Sequence, residues 1–258
     1  MPLQITASLA YDFAAPTDVL AQLEAAILPE QHVSNAGIGI SPLEHFARVP
    51  GHDTIGDRLW LRLNGRLAID YSATVTINRF LADWTQLPST PPHQLPGETV
   101  EYLFPSRYCP SDRFESLVEV DFAGTSGGAR VEAIRAWIAE NLTYTSGASL
   151  TSTDAMETFV ERKGVCRDFA HLMVSLVRAS GIPARFVSAY APDVVPQDFH
   201  AVAEVFLDGA WHLVDATGMA TPAEIAKIGV GRDAADVAFL TSFGEAVFVH
   251  QSVQVTRV

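Results

Sequence analysis

One segment constrains this fold more than any other. It is Gly164-Val-Cys166-Arg-Asp-Phe-Ala-His-Leu-Met-Val-Ser-Leu-Val-Arg-Ala-Ser-Gly181. Its apolar residues Phe169, Leu172, Met173, Leu176 and Val177 recur at i, i+3, i+4, i+7 and i+8. That spacing predicts an amphipathic helix with one buried face. Gly181 followed by Pro183 is a stop signal, because glycine accepts a left-handed cap and proline cannot continue the helix. Cys166 falls in the first turn, where backbone N–H groups have no intrahelical partner and the dipole favours negative charge. Both effects stabilise a thiolate, the reactive form of cysteine. Gly164 is expected to keep the approach to the sulfur clear of side chains. On the helix alone, an inert buried cysteine fits equally well.

The surrounding chain narrows the choice. It has 258 residues, 48% hydrophobic and 18% charged, a globular composition with room for one large domain or two ordinary ones. The formal net charge of −13 and the lack of a basic run argue against nucleic acid as a partner. The two cysteines, Cys109 and Cys166, do not make a disulfide framework. Met1 to Phe13 lacks the basic-then-apolar pattern of a signal peptide. No apolar run approaches the length of a membrane span. A cytoplasmic protein without a membrane partner is the expectation.

In chain order, residues 3–11 alternate apolar and polar and predict a strand. Pro16 to Leu28 carries apolar residues at helical spacing and is expected to form a short helix. Residues 58–63 and 66–77 predict two strands joined as a hairpin by Asn64-Gly65. In the second, Leu67, Ile69, Tyr71, Ala73, Val75 and Ile77 share one face, which suits an antiparallel sheet. Residues 85–99 hold four prolines and predict a linker or exposed loop. Helices are expected over 130–142 and from a capping pair, Asp154 and Glu157, to Val160. Strands are expected over 184–190, 200–207, 210–216 and 247–255. The fold class is α+β in two parts: a β-rich N-terminal domain, 1–100, and a second domain, 101–258.

Asp208-Gly209 is a two-residue hairpin signal between strands 200–207 and 210–216. Leu207 then opposes Ala210 and Asp215 opposes Val202, so His200 lies diagonal to Asp215 on the same face, within side-chain reach. A cysteine at a helix start, a histidine and an aspartate follow the nucleophile–base–orienter logic of covalent catalysis. The same geometry sets other candidates aside. His212 points to the opposite face of its strand. His171 is about 140° around the helix from Cys166, and Asp168 also points away and answers the helix dipole or an arginine. Glu204 is expected to pair with an arginine. Trp211 and Phe206 are expected in the core or the pocket wall, and Cys109 to be inert. Zinc is disfavoured, as there is no Cys-x-x-Cys or His-x-x-x-His pair.

Gly-Val-Cys166-Arg-Asp-Phe-Ala-His-Leu, Gly-Ile-Pro-Ala-Arg185, His200-Ala and Val-Asp215-Ala-Thr217 together resemble the bacterial transglutaminase-like superfamily, whose members are often described as transglutaminase-like cysteine proteases. The resemblance covers about residues 100–258. It implies a papain-like, transglutaminase-core catalytic domain with Cys166 as nucleophile, His200 as base and Asp215 as orienter, no metal or organic cofactor, and a peptide or protein substrate. The chain departs from the pattern at Val202, where relatives commonly carry an aromatic residue, which bears on pocket shape. One oxyanion donor is expected to be the Cys166 backbone N–H; the second is unassigned. Three functions follow in order: thiol-dependent amide or isopeptide hydrolysis through an acyl-enzyme, acyl transfer to amines, and a binding or scaffold module that keeps the fold without turnover.

Overall fold

The computed structural model describes residues 1–258. Strands β1 (Leu3–Ala21), β2 (Gln31–Ile40), β3 (His45–Pro50) and β4 (Asp57–Ile77) build an antiparallel sheet around the two long strands β1 and β4. Its inner face is the alternation read in the sequence. Leu67, Ile69, Tyr71, Ala73 and Val75 are buried and sit opposite Tyr11, Leu9, Ala7, Ile5 and Leu3. Two local expectations fail here. Asn64-Gly65 does not turn a hairpin: β4 runs straight through it, and β1 pairs with both halves. Between Phe13↔Gly65 and Thr17↔Leu63 the register shifts, and Gly65 takes φ +85°. The glycine therefore serves a bulge, which uses the same left-handed freedom as a hairpin turn. The helix expected over 16–28 is replaced by the end of β1, to Ala21, and an irregular stretch after it. Val19, Ala21 and Leu23 are buried, so the short apolar run also satisfies a period of two, and pairing with β4 decides between the two readings.

A helical layer follows: α1 (Glu115–Asp121), α2 (Gly127–Asn141), the two-residue strand β5 (Thr143–Tyr144), α3 (Ala155–Glu161), the two-residue strand β6 (Lys163–Gly164) and α4 (Cys166–Ala179). The segment 84–114 ahead of it is irregular, broken by short 3-10 turns. The Asp154–Glu157 capping box forms as expected at the start of α3. Helix α4 packs on an antiparallel sheet of order β10-β7-β8-β9, comprising β7 (Ala184–Tyr190), β8 (His200–Leu207), β9 (Ala210–Val214) and β10 (Ala226–Gly231). Its apolar stripe is buried, as its spacing predicts. In fact every residue from Asp168 to Arg178 is buried, so the polar stripe is covered too. The last two strands, β11 (Leu240–Ser242) and β12 (Val247–Arg257), return to the first sheet and pair with β1. Residues 240–257 thus cross back over the division expected at residue 100.

The two sheets share a core in which Tyr190, Phe199, Ala226 and Ile228 pack against the inner face of β1 and β4. A buried ion network lies beside it. Glu204 binds Arg185 (2.8 Å) and Lys227; Arg185 also reaches Asp53 (2.8 Å), and Lys227 reaches Glu30 (3.3 Å). Burial pushes the Glu204 carboxyl up, but Lys227 and Arg185 outweigh it and hold it down at about 2. A depressed carboxylate contributes stability above its unfolded value, and that contribution is lost as pH falls below it toward about 2. Glu204→Gln should cost about 3 kcal/mol, because two buried cations lose their shared anion. Urea unfolding of the variant should show a lower midpoint with an unchanged slope; an unchanged midpoint would remove the network from the account of stability.

Candidate active site

Cys166 is the first residue of α4 and is half-buried. The approach to it is fixed by short parallel pairing of Tyr144 with Gly164. Gly164 makes room for a neighbouring side chain. A Cβ there would lie 2.7 Å from Cβ and Oδ2 of Asp168, so glycine allows Asp168 to fold back over the helix start. The Asp168 carboxylate accepts the Val165 N–H (2.8 Å) and the Ser149 hydroxyl (2.8 Å). It answers the helix terminus, as its position on the far side from Cys166 implied.

His200 opens β8, and Asp215 follows β9. The register is the expected one, with Leu207 opposite Ala210 and Ala203 opposite Val214. Asp208 (φ 48°) and Gly209 (φ 79°) supply the left-handed pair that a tight two-residue turn requires. The result is a 3.0 Å hydrogen bond between His200 Nε2 and Asp215 Oδ2, with both residues buried. The carboxylate is further fixed. Its Oδ1 accepts the Thr217 N–H (2.8 Å) and hydroxyl (2.7 Å), and its Oδ2 accepts the Ala220 N–H (2.8 Å). Burial alone would push Asp215 up; the His200 hydrogen bond and charge hold it below the usual value.

The second ring nitrogen of His200, Nδ1, is buried and makes no hydrogen bond within the fold, and the ring is close enough to Cys166 for the two to influence each other's charge. The Cys166 sulfur lies 3.9 Å from the Phe199 carbonyl oxygen, one residue before His200. Burial opposes charge on the His200 ring, but the Asp215 carboxylate and then Cys166 raise it to about 9. Cys166, His200 and Asp215 therefore meet from three separate elements.

Cys166 and His200 open into a cavity of about 680 Å³. Phe186, Phe199 and Ala201 form part of its apolar lining, and the segment from Ala234 to Ser242 forms a wall. No residue of 1–100 lines it; the returning strands contribute Leu240, Thr241, Ser242 and Gln251. Trp211 and Phe206 do not line it either. They pack edge-on against each other, and the Arg185 guanidinium lies 4.1 Å over the Trp211 ring. Val202 is buried in a cluster with Val187, Leu213 and Val230, outside the cavity lining, so the departure from the family pattern there does not shape the pocket.

Tyr144 was missed by sequence reasoning. Its half-buried hydroxyl lies close enough to Cys166 to feel its charge, and burial followed by that charge pushes it up to about 12. A lone tyrosine after a helix carries no signal of this; only the pairing with Gly164 brings it to the sulfur.

The remaining candidates sit where their chemistry is structural. His171 is buried between the Tyr108 ring (5.1 Å) and the Phe186 ring (5.0 Å), and its Nε2 accepts the Ala234 N–H (3.2 Å). Burial holds it well below the usual histidine range. His212 contacts the Leu207 carbonyl oxygen (3.2 Å). Cys109 is fully buried, 3.6 Å from the His171 carbonyl oxygen, and burial pushes its thiol up to about 12. Alkylation near neutral pH, followed by peptide mapping, should modify Cys166 at least ~10-fold faster than Cys109. Equal rates for the two native thiols would remove the distinction between a reactive and an inert cysteine.

The family model of the transglutaminase-like superfamily matches residues 119–216, which hold all three site residues. A crystal structure of a Cytophaga hutchinsonii protein, provisionally described as a cysteine protease, superposes with a TM-score of 0.91 at 33% identity over 99% of this chain and 90% of that one. An uncharacterized protein of Mycobacterium leprae is 29% identical over 147 residues, 54% of this chain and 53% of that protein. An uncharacterized protein of Mycobacterium tuberculosis is 44% identical over 50 residues, 19% of this chain and 16% of that protein. This chain thus spans about half the length of the first of these curated relatives, and less of the second. With a relative matched along nearly its whole length and the family core matched around the site, the chain belongs to the transglutaminase-like superfamily.

Proposed function

We propose that this protein is a thiol-dependent amide or isopeptide hydrolase, a cysteine peptidase or amidase that works through an acyl-enzyme on Cys166. The supporting observation is a single buried ring: His200 is held by Asp215 at 3.0 Å on one nitrogen and stands beside Cys166 at the start of α4. In this reading the Cys166 sulfur attacks the substrate carbonyl carbon. The oxyanion accepts the Cys166 backbone N–H, and the Tyr144 hydroxyl is the second donor. The His200 imidazolium gives its proton to the leaving amine, the C–N bond breaks and a thioester remains. Water then attacks the thioester, His200 takes its proton, and the sulfur leaves with the acid product. Asp215 keeps the ring oriented and the imidazolium stabilised.

Hydrolysis is preferred to transfer because of the space beside the sulfur. A cavity of about 680 Å³ has the volume of on the order of twenty liquid waters. An acyl group of modest size leaves water in place, whereas transfer needs an amine site that keeps water out. The proposal treats the substrate as a peptide or protein and residues 101–258 as the catalytic part. The sheet of 1–100 acts as support, completed by the returning strands. No helix is long and apolar enough to cross a membrane. The reading places the protein in the cytoplasm, where two free thiols are maintained.

The test offers candidate acyl donors with an excess of labelled primary amine and counts free acid against amide by mass spectrometry. Free acid should dominate and Cys166→Ala should give none. Asp215→Asn should reduce turnover by ~10²–10⁴ while leaving the fold intact. Dominant amide product would make the protein a transferase. No product from a broad peptide library would favour a binding module.

A further inference from the structure

Besides Cys166 and Tyr108, four chargeable side chains line the cavity: Arg107, Arg167, His200 and Asp198. The chain as a whole carries −13, so a lining with more cations than anions reverses the sign of its surroundings. The acid is committed within the fold, since Asp198 Oδ1 accepts the Phe199 N–H and the Gln251 side-chain amide. The nearby Asp233 is committed as well, to the backbone N–H groups of Tyr108 and Ala235. Arg167 donates to the Ser149 hydroxyl and the Leu150 carbonyl and lies 3.7 Å from the buried Asp168.

Arg107 differs from all of these. It forms no ion pair with any carboxylate of the chain, and its guanidinium lies 4.9 Å from the centre of the Tyr108 ring. That ring is itself immobilised. Its hydroxyl donates to the Thr151 carbonyl (2.8 Å), its N–H is held by Asp233 (2.9 Å), and its face stacks on His171. An exposed, unpaired cation on a fixed platform at the cavity wall is suited to an anionic ligand group, and in a peptide substrate that group is a carboxylate.

We propose that the cavity selects acyl donors carrying a carboxylate near the scissile bond, with Arg107 as its partner and Arg167 adding to the field. This deepens the hydrolase reading and rests on it. The carboxylate can belong to an Asp or Glu side chain or to a free peptide C-terminus.

The test needs no turnover. Cys166 in the full chain is alkylated with anionic iodoacetate and with neutral iodoacetamide, each rate being divided by that reagent's rate with glutathione. His200 acts on both reagents in every variant, so a change in the ratio reports the arginine. Arg107→Gln should lower the iodoacetate preference by about threefold or more, Arg107→Glu further, and Arg107→Lys should retain it. High salt should lower the wild-type preference in the same direction. Competing peptides then identify the source. Protection of Cys166 by an amidated Glu-containing peptide points to a side-chain carboxylate, and protection by a neutral peptide with a free C-terminus points to the terminal one. A ratio unchanged in both Arg107→Gln and Arg107→Glu would overturn the carboxylate site while leaving the hydrolase reading intact. Cys166 no faster than Cys109 in the wild type would overturn both.

Discussion

The burial of α4 on every side is the constraint on which the rest of the structure depends. An amphipathic helix ordinarily leaves its polar face to water. Here Asp168, His171, Ser175 and Arg178 form a buried stripe, and each must find partners inside the protein. Arg178 is the most demanding, with a buried cation and five donors. It binds the carbonyls of Ala184 (2.8 Å), Phe104 (3.0 Å) and Arg232 (2.7 Å) and the Ser106 hydroxyl (3.2 Å). These are the segments that bracket Arg107 and Tyr108 and begin the wall from Ala234 to Ser242. His171 fastens the same wall through Ala234. One helix thus sets Cys166 at its first residue and, along its length, fixes the irregular segments that shape the cavity.

The second half of the site obeys a different balance. A buried imidazole is normally kept neutral by desolvation. At His200 the carboxylate of Asp215 and the neighbouring Cys166 outweigh burial, and the ring is raised to about 9. A histidine raised above its unfolded value stabilises the fold fully below that unfolded value, near 6.5. The contribution is lost as pH rises through about 9. Protonation of the ring and its contribution to folding therefore fade together on the alkaline side. Asp215 is held ionised by Thr217 and Ala220 as well as by His200, which makes it a fixed anchor for the ring.

Much of this was legible in the sequence because it is local. The apolar stripe of α4, the capping box of α3 and the Asp208-Gly209 turn each depend on residues within a few positions of one another. The turn also sets the register that joins His200 to Asp215. What was not legible depends on partners far along the chain. Asn64-Gly65 has hairpin chemistry, yet the strand beside it is β1, more than fifty residues away in sequence, so the same glycine makes a bulge. Residues 17–21 suit helix or strand until β4 is in place. The return of residues 240–257 to the first sheet and the approach of Tyr144 to Cys166 leave no mark in any short window. Cys166, His200 and Asp215 are written in motifs, and the walls around them are written in tertiary contacts.

The most direct measurement is an NMR titration of the His200 ring in the wild type and in Cys166→Ala. In the wild type the ring should remain protonated through neutral pH and titrate near about 9. Removing the sulfur should shift that titration to lower pH while the Asp215 hydrogen bond persists. A His200 ring that titrates near the unperturbed ~6.5 in both proteins would contradict the coupling of Cys166, His200 and Asp215 into one unit.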